Sequence, residues 1–249
     1  MVEYYVMNKF SQDQYLPHLS IDCVIFGFQN QELKVLVSKF KYGKDLWGLP
    51  GGYILKTESI EKAASRILKE HTSLEKIYLE QFKVFGNEKR IIKSPHRNQI
   101  RKELLHYDGH PFSAEAVDWM TSRFVCIGFY ALVDISKMKA HPGQLDEKLE
   151  WKKIKELPPL THDHHEIVED ALIALRNNLD EKLIGFNLLP ETFTMREVQE
   201  LYEAVYDRPF ARNNFQKKIL DLQVLERLEK KFTGAQNKAP YTYRFIKNI

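Results

Sequence analysis

No apolar run in this sequence approaches the roughly 20 residues that a membrane-spanning helix requires. The opening MVEYYVMNKF lacks the charged start, apolar middle and small-residue cleavage site of a secretory leader. Cysteine is scarce: Cys23 and Cys126 are the only two, and both fall in strand-like apolar runs. That excludes a disulfide framework and leaves buried free thiols in a reducing cytoplasm as the expectation. Internal repeats and low-complexity tracts are also missing, which argues against solenoids and disordered linkers. What remains is globular. Of 249 residues 43% are hydrophobic and 29% charged, enough for two domains with real cores.

A large net charge is absent too, at only +3, but its distribution is uneven. From Arg208 onward ten Lys or Arg face three acids, a balance of +7, so the preceding 207 residues carry −4. A basic end on a mildly acidic body points to a polyanion partner for that end.

Residues 18–28 and 33–40 are apolar and β-branched around Gln29, Asn30 and Gln31, the pattern of a hairpin. Trp47 to Gly52, WGLPGG, is expected to be a rigid turn, with Pro50 fixing φ and two glycines allowing unusual backbone angles. Ile60, Ala63, Ala64, Ile67 and Leu68 mark one face of a helix over 60–71. Strands are expected at 78–86 and 123–133, separated by a basic, polar stretch with a short helix near 113–120. Asp163 and Glu166 have capping-box spacing for a helix running to about 179. The adjacent His162, His164 and His165 are then cap and surface residues in preference to metal ligands. A short linker near Asn178 to Gly185 holds two parts close together, with domains expected at 1–180 and 181–249.

Gly52 to Leu74, GYILKTESIEKAASRILKEHTSL, resembles the Nudix hydrolase signature, with Gly52, Glu58, Arg66, Leu68, Glu70 and Leu74 in register after the usual LPGG turn. The resemblance implies a mixed sheet between helices, with the box as a loop-helix-loop at one sheet edge. It does not imply the chemistry. In that family helix carboxylates hold Mg²⁺, a hard cation that demands oxygen ligands. Two of those positions are occupied here by Ile67 and His71, and Ser73 replaces the later glycine. Without bridging metal ions a diphosphate hydrolase loses its main stabiliser of developing charge. The expectation is therefore no enzyme, no metal and no cofactor, but a retained pocket for a small-molecule effector. Its candidates are Lys39, Trp47, Tyr53, Glu70 and His71, on or beside the remodelled face. Glu58 and Arg66 are expected to brace the loop, and Trp47 either stacks on a ligand or packs beneath the turn.

Thr194 and Glu197 form a second capping box ahead of Val198, Leu201, Tyr202 and Val205. After the break at Asp207-Arg208-Pro209, a helix over about 211–222 turns Phe215, Ile219 and Leu222 inward. Arg212, Asn213, Gln216 and Lys217 are left outward, side chains that contact phosphates and base edges. The segments 224–232 and 241–246 then alternate as a basic hairpin around the tip Thr233 to Pro240. The whole is a winged helix-turn-helix, and the candidate DNA contacts are Arg208, Arg212, Asn213, Asn214, Gln216, Lys217, Lys218, Lys230, Lys231 and Arg244.

With that domain attached to the degenerate box, the chain resembles the Nudix-related transcriptional regulators of NrtR type. It looks closest to the arabinose-responsive AraR group of Bacteroidetes, through YLPHLSIDCVIFGF, LPPLTHDHHEIVEDAL and LLPETFTMREVQELYEAVYDRPFARNNFQKK. The fold class implied is α+β, an N-terminal Nudix-type α/β/α sandwich followed by the winged helix. A cytoplasmic homodimer on double-stranded, palindromic operator DNA is implied, acting as a repressor released by L-arabinose. Residue chemistry alone leaves a sugar and a nucleotide sugar such as ADP-ribose both open. Two readings compete: an active Nudix hydrolase with a nucleic-acid-binding extension, and an RNA-binding or scaffold protein.

Overall fold

The structure is a computed structural model that describes residues 11–90, 97–107, 112–179, 184–230 and 239–246. Its larger sheet is built on β1 (Tyr15–Gln29), which pairs antiparallel with β2 (Glu32–Phe40) through a two-residue turn at Asn30 and Gln31. Both turn residues have positive φ, 54° and 62°, the geometry that matches a tight hairpin to the strand twist. The earlier half of β1 pairs with β4 (Gly51–Leu55), and β3 (Trp47–Gly48) adds to β2. β5 (Tyr78–Phe85) and β6 (Val125–Val133) complete one side, with β6 parallel to β1, and β7 (Asp146–Lys153) covers β2. The sheet order is β3-β2-β1-β6-β5, with β4 and β7 branching from it.

Strand alternation sorts this sheet's two faces. Ile21, Cys23 and Ile25 join Ile127, Phe129 and Ala131 under α1 (Ile60–Thr72), whose Ala63, Ala64, Ile67 and Leu68 pack down on them. Val24 and Phe26 join Tyr130 and Leu132 on the other face, covered by α4 (His164–Leu179). Two buried faces explain why β1 and β6 are nearly continuous apolar runs. Both cysteines are free and buried.

The smaller sheet has the order β8-β10-β9, formed by β8 (Phe193–Thr194), β9 (Leu225–Lys230) and β10 (Tyr241–Phe245). α5 (Met195–Tyr206) begins on the expected capping box, Thr194 and Glu197 each bonding the other's backbone. It ends at Asp207, whose φ of 54° turns the chain toward α6 (Arg212–Asp221). Phe215 and Ile219 of α6 are buried as expected, but Leu222 is 38% exposed because the helix stops one residue before it.

The two parts share one apolar cluster. Leu175 and Leu179 of α4 lie in the same cluster as Val198, Leu201 and Tyr202 of α5. Arg176 Nε donates to the Val205 carbonyl (2.8 Å), and the Tyr206 hydroxyl returns a bond to the Arg176 carbonyl (3.0 Å). Among the described residues no helix is long and apolar enough to cross a membrane.

Two local expectations change, and a third falls on residues that are not described. The basic stretch after β5 contains two helices, α2 (Arg97–Leu105) as well as the expected α3 (Ala114–Met120), and they pack on each other through Ile100, Leu104 and Val117. Gly51 and Gly52 do not adopt positive φ, so their role is space: a Cβ on Gly51 would meet Asp22 Oδ1 at 2.5 Å. The tip residues 231–238, and with them Lys231, lie outside the described residues.

Because the cluster is continuous, Leu175→Ala is expected to lower stability by roughly 2–5 kcal/mol. Calorimetric unfolding is expected as one transition carrying both domains downward together. Two resolved peaks, with only one displaced by the substitution, would contradict a shared core.

Candidate functional site

At the end of the larger sheet where Asp22 pairs with Gly51 and Ser20 with Tyr53, the sandwich opens into a cavity of about 420 Å³. β4 and the α1 residues Arg66, Glu70 and His71 line one side; Phe40, Tyr42 and Leu46 line another. α2 contributes Ile100 and Leu104, so the insertion after β5 forms part of the wall. Tyr53 packs edge-on against Trp119 (centroids 4.6 Å) and tilted against Phe124 (5.3 Å), giving the cavity an aromatic flank.

Of the five expected effector residues, the structure brings together Tyr53, Glu70 and His71 in this lining; Lys39 and Trp47 are not in it. Period two along β2 explains Lys39. Ser38 and Phe40 turn toward the cavity side, where Ser38 Oγ donates to Asp146 (2.5 Å), so Lys39 faces away and pairs with Glu147 (3.0 Å) and Asp45. Trp47 pairs with Lys39 across β3 and sits in the core beneath α4, 9% exposed. Lys148 and Lys152 lie over its ring at 5.6 and 5.1 Å.

Glu58 and Arg66 meet as the expected brace. Arg66 holds Glu58 by two bonds (2.7 and 3.1 Å) and donates to the Tyr53 carbonyl (2.9 Å), while Glu58 accepts from the Leu55 N–H. That pair is the brace, and the hydrogen bond from Arg66 holds the Glu58 carboxyl below its ordinary range. Glu70 is spent on Arg66 at 3.3 Å. Ile67 is buried and directed at Gly52, whose added Cβ would meet its Cδ1 at 3.1 Å. His71 is 93% buried, and its Nδ1 finds no hydrogen-bond partner among the described residues, with Asp146 3.7 Å away. A buried polar atom in that state favours a ligand that satisfies it. Among the described residues no group of three or more His, Cys, Asp or Glu is arranged to hold a metal ion.

A second polar cluster on the cavity wall was not expected from the sequence. Arg90, in the polar stretch after β5, donates Nε to Asp163 (2.8 and 3.0 Å) and Nη2 to Asp22 (3.2 Å). Asp22 also accepts from the Cys126 thiol (2.8 Å). The Leu49 N–H donates to His164 Nδ1 (2.9 Å), which puts the ring proton on Nε2, 3.6 Å from Asp22. Thus the Asp163 carboxylate engages Arg90 in place of the expected cap, and His164 is a buried wall residue and not a surface one. Burial opposes the charge on Asp22, but the Nε2–H side of His164, the Arg90 guanidinium and the Cys126 thiol outweigh it and hold the carboxyl below its ordinary range. Burial pushes His164 down, and likewise His162, whose ring stacks on His164 at 5.8 Å while opening into the cavity. The available signal was a lone acid inside the apolar run SIDCVIF, since an unpaired buried charge is rare.

On the smaller domain, α6 exposes Arg212, Asn213, Asn214, Lys217 and Lys218, with Gln216 half-buried between them. Lys218 leans over the Tyr202 ring (5.8 Å). Arg208 lies over Tyr206 and Phe210 (5.7 and 5.2 Å), which fixes it beside the helix start. Lys230 is exposed on the wing over Tyr241, whereas the Arg244 guanidinium is already paired with Glu226 (2.7 Å).

Residues 16–171 match the NUDIX domain family. The chain belongs to the Nudix family. Residues 185–245 match the NrtR DNA-binding winged helix domain, so a Nudix domain is followed by an NrtR-type winged helix. The chain is 24% identical over 237 residues to the ADPR responsive transcriptional repressor NtrR of Acinetobacter baylyi, spanning 92% of this chain and 82% of that protein. Its fold is similar to Shewanella oneidensis NrtR (TM-score 0.65, 25% identity, 92% of this chain and 94% of that one). The same protein complexed with a 27mer DNA gives 0.66 at 24% identity, covering 91% and 93%. A MutT/nudix family protein from Enterococcus faecalis gives 0.63 at 20% identity, covering 92% and 86%.

The neutral imidazoles of the Nudix domain set a pH dependence. A histidine whose folded pKa is depressed binds its proton more readily in the unfolded chain, so its stabilisation is complete above about pH 6.5 and is lost as pH falls. For His162 the loss runs down to about 4, its share reduced by the cavity's access to solvent. The melting temperature is therefore expected to fall between pH 7 and pH 5. A His162→Gln/His164→Gln double variant is expected to be flatter over that interval. A pH-independent wild type would rule out neutral buried imidazoles.

Proposed function

We propose that this protein is a DNA-binding transcriptional repressor whose Nudix domain has exchanged hydrolysis for effector binding. The observation that carries this reading is the exposed Arg212, Asn213 and Lys217 face of α6 in the domain matched to the NrtR DNA-binding winged helix. These side chains suit phosphates and base edges of the major groove. Two copies on a palindromic operator would set two such helices against half-sites about one helical turn apart.

Loss of hydrolysis is supported by Ile67 and His71 at positions where the family signature has carboxylates, and by Glu70 being committed to Arg66. One carboxylate, already paired, does not assemble a Mg²⁺ site. The effector reading is supported by the cavity, the unpartnered His71 Nδ1 and the aromatic flank. A volume of 420 Å³ falls in the range of about 300–1,000 Å³ usual for whole ligands and exceeds what a lone pentose fills. ADP-ribose is the effector that the name of the Acinetobacter relative offers, and Arg66 and Arg97 in the lining suit its diphosphate end. L-arabinose, the effector implied by the sequence resemblance, has no support among these relatives.

The effector acts through the shared core. Helix α4 starts at the cavity wall with His164 and carries in its last turn Arg176, which bonds to α5 of the winged helix. A ligand alters DNA affinity only by its preference between two arrangements of these parts. ADP-ribose is expected to lower affinity for an operator selected from random DNA by about 5- to 150-fold, and operator DNA must weaken ADP-ribose binding by the same factor. Fluorescence anisotropy of the operator, with calorimetry of ADP-ribose and of L-arabinose with and without DNA, tests this. Equal effector affinity in both conditions overturns the coupling, and binding of L-arabinose alone overturns ADP-ribose as the effector. Arg212→Ala or Asn213→Ala is expected to cost roughly 1–3 kcal/mol on operator DNA where the side chain reads a base. Lys217→Ala is expected to weaken all sequences alike and flatten the salt dependence. Mg²⁺-dependent ADP-ribose hydrolysis at about 1 s⁻¹ or faster would mark the domain as an enzyme.

A further inference from the structure

The cavity wall formed by buried Asp22 and Arg90, with Asp163 and the exposed His162 beside them, carries a charge that limits what reaches it. Among the described residues Arg90 is the one cation bonded there, and it is bonded to both carboxylates, so they bring one positive and two negative charges together. His164 is neutral, its Nδ1 accepting the Leu49 N–H. The local balance is −1. Asp22 Oδ2 takes the bonds from Arg90 and Cys126, while Oδ1 has no partner among the described residues. His162 occupies a left-handed backbone conformation, φ 53°, that a non-glycine residue holds only where the surroundings demand it. Its Nδ1 meets the Thr161 hydroxyl at 2.8 Å, which leaves Nε2 as the ring atom available to the cavity.

We infer that this wall is the specificity determinant of the cavity, with Asp22 and His162 taking an uncharged, hydroxyl-bearing sugar group and excluding phosphate. An ionised carboxylate accepts only, so it binds hydroxyl donors and repels another acceptor-rich anion in a medium where the repulsion is weakly screened. Tyr53 and Phe124 beside it supply the apolar surface that the C–H face of a sugar ring packs against. Any phosphate on the ligand lies away from this wall, toward Arg66 and Arg97. This inference rests on the effector reading above and deepens it by naming the group held at the buried end.

The test uses the full-length protein with three probes: ADP-ribose, L-arabinose and inorganic pyrophosphate, which has no sugar. Calorimetry of the wild type is expected to show binding of at least one sugar-bearing probe, and Asp22→Asn is expected to weaken that binding tenfold or more. The sign decides. A phosphate held at this wall would bind more tightly once the negative charge is removed, so tighter or unchanged binding by Asp22→Asn overturns the inference. Saturable binding of pyrophosphate that competes with the sugar-bearing probe, and that is lost in His162→Gln, overturns it as well. If Asp22→Asn fails to fold, His162→Gln carries the test, with a fall of threefold or more in affinity for the sugar-bearing probe expected and no change contradicting. Absence of binding by all three probes overturns the inference, while operator affinity, measured separately, reports whether the repressor reading stands.

Discussion

The buried pairing of Arg90 with Asp22 and Asp163 is the interaction on which the cavity end of this molecule depends. It ties the centre of β1, the segment after β5 and the start of α4 to one guanidinium. Each group is nearly inaccessible, so each charge is expensive to bury alone, and removing one partner from such a pair typically costs about 3–5 kcal/mol. Replacing the set with apolar residues would be thermodynamically tolerable for many proteins. Here it would also erase the polar wall of the cavity. The pairing therefore couples a folding constraint to the lining of the cavity.

From that wall the structure runs continuously to the basic domain. α4 begins beside His162 and Asp163 and passes across the sheet face with Ile167, Val168, Ala171 and Leu175 buried. It ends in backbone and side-chain bonds to α5. Close-packed interiors transmit displacement poorly by deformation and well by switching between arrangements. A rigid helix that touches a cavity at one end and a DNA-reading domain at the other is suited to that kind of transmission, whereas two domains on a loose tether are not.

Much of the fold was legible because it is local. The apolar, β-branched runs of β1 and β6, the apolar face of α1 and the capping box at Thr194 rest on residues a few positions apart. The Nudix resemblance added the layer arrangement. What went astray was also physical. WGLPGG looked like a turn needing unusual φ, but the glycines are there because Asp22 and Ile67 occupy the space a side chain would need. Asp163 had the spacing of a cap, and a guanidinium 73 residues away in sequence claimed its carboxylate instead. Leu222 fitted the helical period, and the helix ended before it.

By itself the sequence determined the two-part layout, the placing of Ile67 and His71 on one face of α1, and the basic character of α6 and its wing, because composition, register and periodicity are properties of neighbouring residues. Only the tertiary structure decided which side chains share the cavity. Lys39 and Trp47 are near the box in the chain but turn into other surroundings, since pleating sends alternate residues to opposite faces. Asp22 and Arg90 are 68 residues apart, in segments with no common pattern, and they meet because β1 is the sheet's centre and the insertion after β5 folds back over its end. A contact of that kind is set by the path of the chain through space, which no periodicity along it encodes.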